Sequence, residues 1–160
     1  VEPPRLRSLR SVAQSLALVD AVFAGVETAG SPMAAINRLG PTAVVSDFGN
    51  NFGLIVGPAI EALASPAQPL ACHTMIDAAL VGEYLLQDGL QAPAQALAFA
   101  LQQAATRPWP LCKGDYITTG ALTGIHDICS GQQAVIEFAG RGRIVCRAQT
   151  ARVPATRGDR

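Results

Sequence analysis

Lysine is almost absent from this sequence: Lys113 stands alone against eleven arginines. Any chemistry that needs an amine side chain has one candidate. Charge of either sign is scarce. Twelve basic and twelve acidic residues, 15% of the chain, leave a formal net charge of zero. That balance gives no phosphate-tracking surface, so no nucleic acid is expected as a partner. It also leaves little repulsion between copies, which suits an oligomer. Aromatics make up only 5%, whereas alanine occurs 28 times. Small side chains let backbones approach closely but leave a core short of large apolar groups. Packing against other chains would supply the missing burial, so a homo-oligomer or a different protein subunit is the expected partner. No apolar run reaches the roughly 20 residues that cross a bilayer, so no membrane span is expected.

No Cys-x-x-Cys pair joins Cys72, Cys112, Cys129 and Cys146. A zinc or thioredoxin-like site therefore has no sequence support. Buried free thiols are one reading, and two disulfides in an exported protein are the other. No signal-peptide pattern is present. The chain opens on Val1 rather than methionine, which suits a processed form or a fragment. The cytoplasm is the default compartment. An exported or periplasmic protein is the alternative opened by the missing start methionine and the four cysteines. With 49% hydrophobic residues the chain is not a disordered one. Its 160 residues suffice for one domain.

Local pattern places the elements. Val1–Arg10 is rich in proline and arginine and reads as a loose arm. Ser8 is placed to cap a short helix to about Ser15. Leu16–Phe23 alternates weakly and reads as a strand. Gly30-Ser31-Pro32 reads as a turn with a helix start, ending near Gly40-Pro41. The β-branched content of Thr42–Ser46 predicts a buried strand. Asp47–Gly53 is a turn or site loop, Leu54–Val56 a strand ending at Gly57-Pro58. Leu70–Leu86 reads as two strands with a break. Ala92–Thr106 is the clearest helix, with Pro93 near its start and Leu97 and Leu101 four apart. Trp109, between two prolines, reads as an anchor for the loop after it. Strands are predicted at Tyr116–Thr119, central and buried, and at Ala134–Phe138 and Ile144–Ala148, the last two joined by Gly140-Arg141-Gly142.

Five stretches carry a family resemblance. The run Leu111-Cys112-Lys113-Gly114-Asp115-Tyr116-Ile117-Thr118-Thr119-Gly120-Ala121-Leu122-Thr123-Gly124 resembles the "L-x-x-G-D-x-I-x-T-G-x-x-T-G" segment of the fumarylacetoacetate hydrolase superfamily, in its 2-keto-4-pentenoate hydratase / 4-oxalocrotonate decarboxylase branch. Ala96, Leu97 and Leu101 match the apolar helix before it, and Phe138, Gly142 and Ile144 loosely fit the hairpin after it. Gly53, Ile55 and Gly57 match a "G-x-[VI]-x-G" stretch. Leu16-Ala17-Leu18-Val19-Asp20 resembles the family's "I-E-L-P-D" strand. The resemblance covers about residues 12–148. It implies an α+β fold, a mixed β-sheet/β-roll of the fumarylacetoacetate-hydrolase type with one long and one or two short helices. The organisation it implies is an arm over 1–11, the family-like domain over 12–150 and a tail over 151–160.

The resemblance further implies a hydro-lyase or decarboxylase of 2-oxo acids, such as 2-hydroxypenta-2,4-dienoate or 4-oxalocrotonate. Magnesium or manganese would be the family metal. A 2-oxo acid offers a carboxylate and a keto oxygen to one hard cation, which stabilises the enolate formed on proton transfer. Such a cation wants carboxylate ligands. This chain departs from the pattern there. The family's "E-x-E" pair belongs upstream of Leu16, and Glu2 has Pro4 rather than a glutamate two residues on. The third ligand falls on Ala17. The family's lysine also belongs upstream, and Lys113 is not its equivalent. The expectation is a shortened hydratase-like protein with an incomplete metal site and no metal held by this chain alone. The alternative is a non-catalytic binding or assembly subunit of a larger complex. Activity, if present, would need another chain or segment.

Candidate site residues follow. Asp20 aligns with an acidic residue beside the family's metal, and it also suits a strand end. Asp47, Asn50 and Asn51 sit in a glycine-bearing loop where polar tips can meet a ligand; Asx-turn chemistry explains them equally well. Thr118, Thr119 and Thr123 match pocket positions where hydroxyls hold a substrate carboxylate, and threonine is also a good strand residue. His126 follows the Thr-Gly-Ile turn and is an acid–base candidate. His73 has no motif partner. A Cys72–His73 dyad is rejected, because neighbours on a strand point to opposite faces. Asp115 reads as structural.

Overall fold

The computed structural model describes residues 11–62, 65–108 and 111–150. The arm over 1–10, the tail over 151–160 and Trp109 lie outside the described residues. Helix α1 (Val12–Leu16) is capped by Ser11, whose hydroxyl accepts the Gln14 N–H at 3.2 Å while Gln14 Oε1 accepts the Ser11 N–H. This is a capping box; the cap expected at Ser8 lies outside the described residues. The capping box carries the helix through Leu16, so the strand expected over Leu16–Phe23 starts later, as β1 (Val22–Ala29).

An excursion follows β1. The helix expected after Pro32 is reduced to a 3-10 turn, Ile36–Arg38. The strand expected over Thr42–Ser46 is instead helix α2 (Pro41–Ser46), with no buried residue. Pro41 stands at the first helical position after Gly40, whose φ of 87° breaks the chain before it. That start signal outweighs β-branched content in a segment with no face to bury; Val45 is 76% exposed. A second 3-10 turn, Phe48–Asn50, leads into β2 (Asn51–Ile60). Strands β1 and β2 pair antiparallel as a two-stranded sheet.

The second sheet is antiparallel with the order β4-β3-β5-β6. Strands β3 (Leu70–Ile76) and β4 (Ala79–Leu86) occupy the two-strand stretch read between Leu70 and Leu86. Their turn is Asp77-Ala78, both with positive φ (47° and 67°), the geometry that suits strand twist. β3 buries every second residue, Leu70, Cys72, Thr74 and Ile76. That face packs with Ala134, Ile136 and Phe138 of β5 (Gln133–Phe138) and Ile144 of β6 (Gly142–Arg147). Helix α3 (Gln91–Ala104) buries Ala94, Leu97 and Leu101 and packs on α1.

One strand expectation fails in a way that bears on function. Tyr116–Thr119 lies in no strand, and Tyr116 is 60% exposed. The β-branched residues there favour an extended chain, but a ladder also needs a neighbour. Side chains of this stretch reach Phe23 and Glu27 of β1, but no described strand pairs with its backbone. The fold is α+β, with antiparallel sheets and, among the described residues, one long helix and two short ones. Among the described residues no helix is long and apolar enough to cross a membrane.

Candidate functional site

The two sheets meet where β2 and β1 pack against β6. Beside that joint lies a cleft of about 780 Å³. Its walls are the turn from α1 into β1, strand β2, helix α3 and residues 111–123. Core side chains such as Ala24, Ile60, Leu70, Leu97, Leu101 and Phe138 form its floor, so the interior is mostly apolar. Polar groups stand at the rim.

Four expected site residues come together here: Asp20, Thr118, Thr119 and Thr123 all line the cleft. Asp20 lies in the turn that enters β1 and is exposed. The Thr118 hydroxyl donates to Glu27 Oε1 at 3.0 Å. Thr123 Oγ1 lies 2.7 Å from Thr74 Oγ1, so that hydroxyl is shared with a buried partner. Thr119 makes no side-chain hydrogen bond among the described residues, which leaves its hydroxyl for a ligand.

The others lie elsewhere. His126 does not line the cleft. Its Nε2 lies 2.8 Å from the Thr123 carbonyl oxygen. A side chain at Gly82 on β4 would meet that ring at 2.7 Å, so the imidazole ties the 123–126 turn to the sheet. Asp47 and Asn50 sit in the excursion between β1 and β2. Phe48 and Asn50 there hold positive φ, 52° and 59°. The buried Asp47 Oδ2 and Asn50 Oδ1 have no hydrogen-bond partner among the described residues. His73 lies on β3 opposite Glu83 and Glu137, on the other face from Cys72, as strand alternation requires.

Sequence reasoning passed over Glu27 and Thr74. Each is recruited by a threonine far along the chain, and no local pattern marks such a contact. Asp115, read as structural, lines the cleft too; its Oδ2 accepts the Cys112 N–H at 2.7 Å across the turn before Tyr116. Cys72 points into the cleft, where burial pushes its thiol up to about 11. No disulfide joins the four cysteines among the described residues. Only Cys72 is buried; Cys112 and Cys129 are exposed. Exposure of those two departs from four buried thiols.

A hard cation needs several oxygen ligands converging on one point. Among the described residues no group of three or more His, Cys, Asp or Glu side chains is placed to hold one. Ala17, where the resemblance puts a ligand, lines the cleft with a methyl group. The residues present do not fit the metal that the resemblance implies.

No family profile matches the chain, and no curated protein matches it. Solved structures do. 4-Oxalocrotonate decarboxylase from Pseudomonas putida G7, complexed with calcium and acetate, superposes with a TM-score of 0.71 at 20% identity, covering 86% of this chain and 51% of that one. The same enzyme complexed with magnesium and adipate gives 0.73 at 21%, covering 86% and 52%. This chain therefore has the fold of that decarboxylase over most of its length, and it spans about half the length of the solved structures it matches.

Proposed function

We propose that this chain is a 2-keto-4-pentenoate hydratase-like domain for 2-oxo acids, of the hydro-lyase or decarboxylase type, with an incomplete metal site. The observation that supports it is the cleft. In a fold shared with 4-oxalocrotonate decarboxylase, it gathers Asp20, Thr118, Thr119 and Thr123 around one apolar space. The free Thr119 hydroxyl can bind a substrate carboxylate oxygen. The apolar walls exclude water from the acid's carbon chain. The carboxylates for a magnesium or manganese ion would come from another segment or chain.

A second reading has its own observation. Ala17 stands where a ligand is needed, and no ligating cluster exists among the described residues. This favours a non-catalytic binding or assembly subunit that keeps the fold. One experiment separates the two. The purified chain is assayed for turnover of 2-hydroxypenta-2,4-dienoate with and without magnesium, and metal binding is followed by calorimetry. No stoichiometric metal site is expected on the chain alone. Magnesium-dependent turnover carried by this chain supports the enzyme reading. Absence of turnover, with or without the metal, leaves the assembly reading.

A further inference from the structure

From Tyr116 to Ile128 no N–H or C=O enters a backbone–backbone hydrogen bond among the described residues. The part of the cleft wall made by this stretch is therefore held by side chains. Its first half is tied to β1. Tyr116 meets Phe23 edge-on, with ring centroids 5.9 Å apart, and Thr118 donates to Glu27. Its second half has other anchors. Leu122 packs on the large core. Thr123 Oγ1 lies 2.7 Å from Oγ1 of the buried Thr74. The half-buried His126 brings Nε2 to 2.8 Å from the carbonyl oxygen of Thr123. Thr119, whose hydroxyl is free, stands between the two sets of anchors.

The contacts of Thr123 and His126 converge on one place in the second sheet. Thr74 on β3 and Gly82 on β4 are partners across the ladder, so both look out from the same face. The Thr123 hydroxyl sits on Thr74, and the Thr123 carbonyl and the imidazole sit on Gly82. A Cβ at Gly82 would lie 2.5 Å from that carbonyl oxygen, 2.7 Å from His126 Nε2 and 3.0 Å from its Cε1. Gly82 has no positive φ, so glycine serves the close approach here rather than a turn. A carbonyl oxygen only accepts, so the contact needs the hydrogen on Nε2. That hydrogen is directed at the turn and away from any ligand, since His126 does not line the cleft.

We propose that His126 is a positioning residue for the cleft. By donating Nε2–H to the Thr123 carbonyl over Gly82, it holds the wall from Thr119 to Thr123 in place without touching a ligand. This role replaces the proton transfer for which the sequence made His126 a candidate. The effect on the wall stands by itself; the effect on ligand affinity rests on the 2-oxo acid reading above.

The test uses the full chain. Nitrogen-15 NMR should place the proton of the neutral imidazole on Nε2. His126→Leu keeps bulk and removes the donor, whereas His126→Gln keeps an amide donor. Both lack the ring, so a difference between them reports the donor and not the ring current. In methyl NMR, His126→Leu should displace the Thr119, Leu122 and Thr123 signals, and His126→Gln should return them toward the wild-type positions. Gly82→Ala should displace the same signals with His126 intact, so the test survives a His126→Leu chain that fails to fold. Calorimetric affinity for 2-hydroxypenta-2,4-dienoate should fall by roughly threefold or more in His126→Leu, the size of one lost hydrogen bond, and recover in His126→Gln. A proton on Nδ1 overturns the proposal. So do methyl signals that stay in place in His126→Leu and Gly82→Ala, or a His126→Gln chain that matches His126→Leu. A wild-type chain that binds no dienoate counts against the 2-oxo acid reading alone, and the methyl signals then decide the role of His126.

Discussion

The joint between the two sheets offers the sharpest test of how this fold is held. Gly57 on β2 lies against Ile144 on β6, a buried core residue. A Cβ at Gly57 would run into Ile144 Cγ1, lie 2.7 Å from its Cδ1 and 3.2 Å from the Ala24 carbonyl oxygen. Gly57 does not have a positive φ, so Gly57→Ala meets no backbone strain and tests packing alone. Overpacking of this kind costs about 1–3 kcal/mol. The smaller entropy of the unfolded alanine chain returns about 0.4–1 kcal/mol. The expected net loss is about 1–2 kcal/mol, read as a lower urea midpoint at unchanged slope. Ile144→Ala alone removes the obstructing side chain and costs about 2–4 kcal/mol. In that background Gly57→Ala should cost almost nothing, a coupling of about 1 kcal/mol or more. A cost that is the same in both backgrounds, or a stabilising Gly57→Ala, would refute the reasoning. The joint also sets the cleft, because β1 and β2 form one wall of it and Phe138 of the other sheet lies on its floor.

Two further outcomes follow from titrating groups. Burial holds the Cys72 thiol at about 11, against 9.0 for an ordinary cysteine. Below pH 9 both states keep the proton, and the full stability is present. Above it the unfolded chain ionises first, so stability falls until the folded thiol also ionises. Urea titrations from neutral to high pH should show the wild type losing stability faster than Cys72→Ala; parallel curves would contradict the assignment. Asp77 shows the opposite sign. Its carboxylate accepts the Gln133 backbone N–H and the Gln132 amide, each at 2.9 Å, with Arg147 adding attraction, and these hold it below its usual 3.8. Its contribution is present above that value and disappears as pH falls through the lower, folded one. The stability gap between wild type and Asp77→Asn should therefore close on acidification, and a gap that widens would exclude the mechanism.

What the sequence made legible was local. Helix α3 announces itself through Leu97 and Leu101, and both lie buried where that spacing puts them. The hairpins announce themselves through turn residues between alternating runs. Thr42–Ser46 misled, because the decisive residue was Pro41 at the first helical position rather than the β-branched side chains behind it. The candidate cleft was legible only through the order of motifs, which pointed to Asp20, Thr118, Thr119 and Thr123; Asp47, Asn50 and His126, read from local chemistry, lie away from it. The contacts that fix the four in the cleft were not. The Glu27–Thr118 bond joins residues 91 apart, and no spacing rule reaches across that distance. Tyr116–Thr119 shows the limit most plainly. Its residue types specify an extended backbone, but whether that backbone joins a ladder depends on what stands beside it.

The same dependence couples the cleft to stability. Helix α3 does not belong to the large core around β3 and β5. Leu97, Leu101 and Ala105 form a separate small cluster, closed only by Val19, Leu111 and Ile117. Those three residues belong to the turn before β1 and to the 111–117 stretch, which are themselves walls of the cleft. The α3 layer and the cleft wall therefore hold each other, across a space that the large core does not fill. Val19, Leu111 and Ile117 line the cleft and close the α3 cluster at once, so a molecule that fills this space contacts the residues that hold that layer. A ligand that binds only the folded chain raises folding stability by about 2.7 kcal/mol at a hundredfold excess over its dissociation constant.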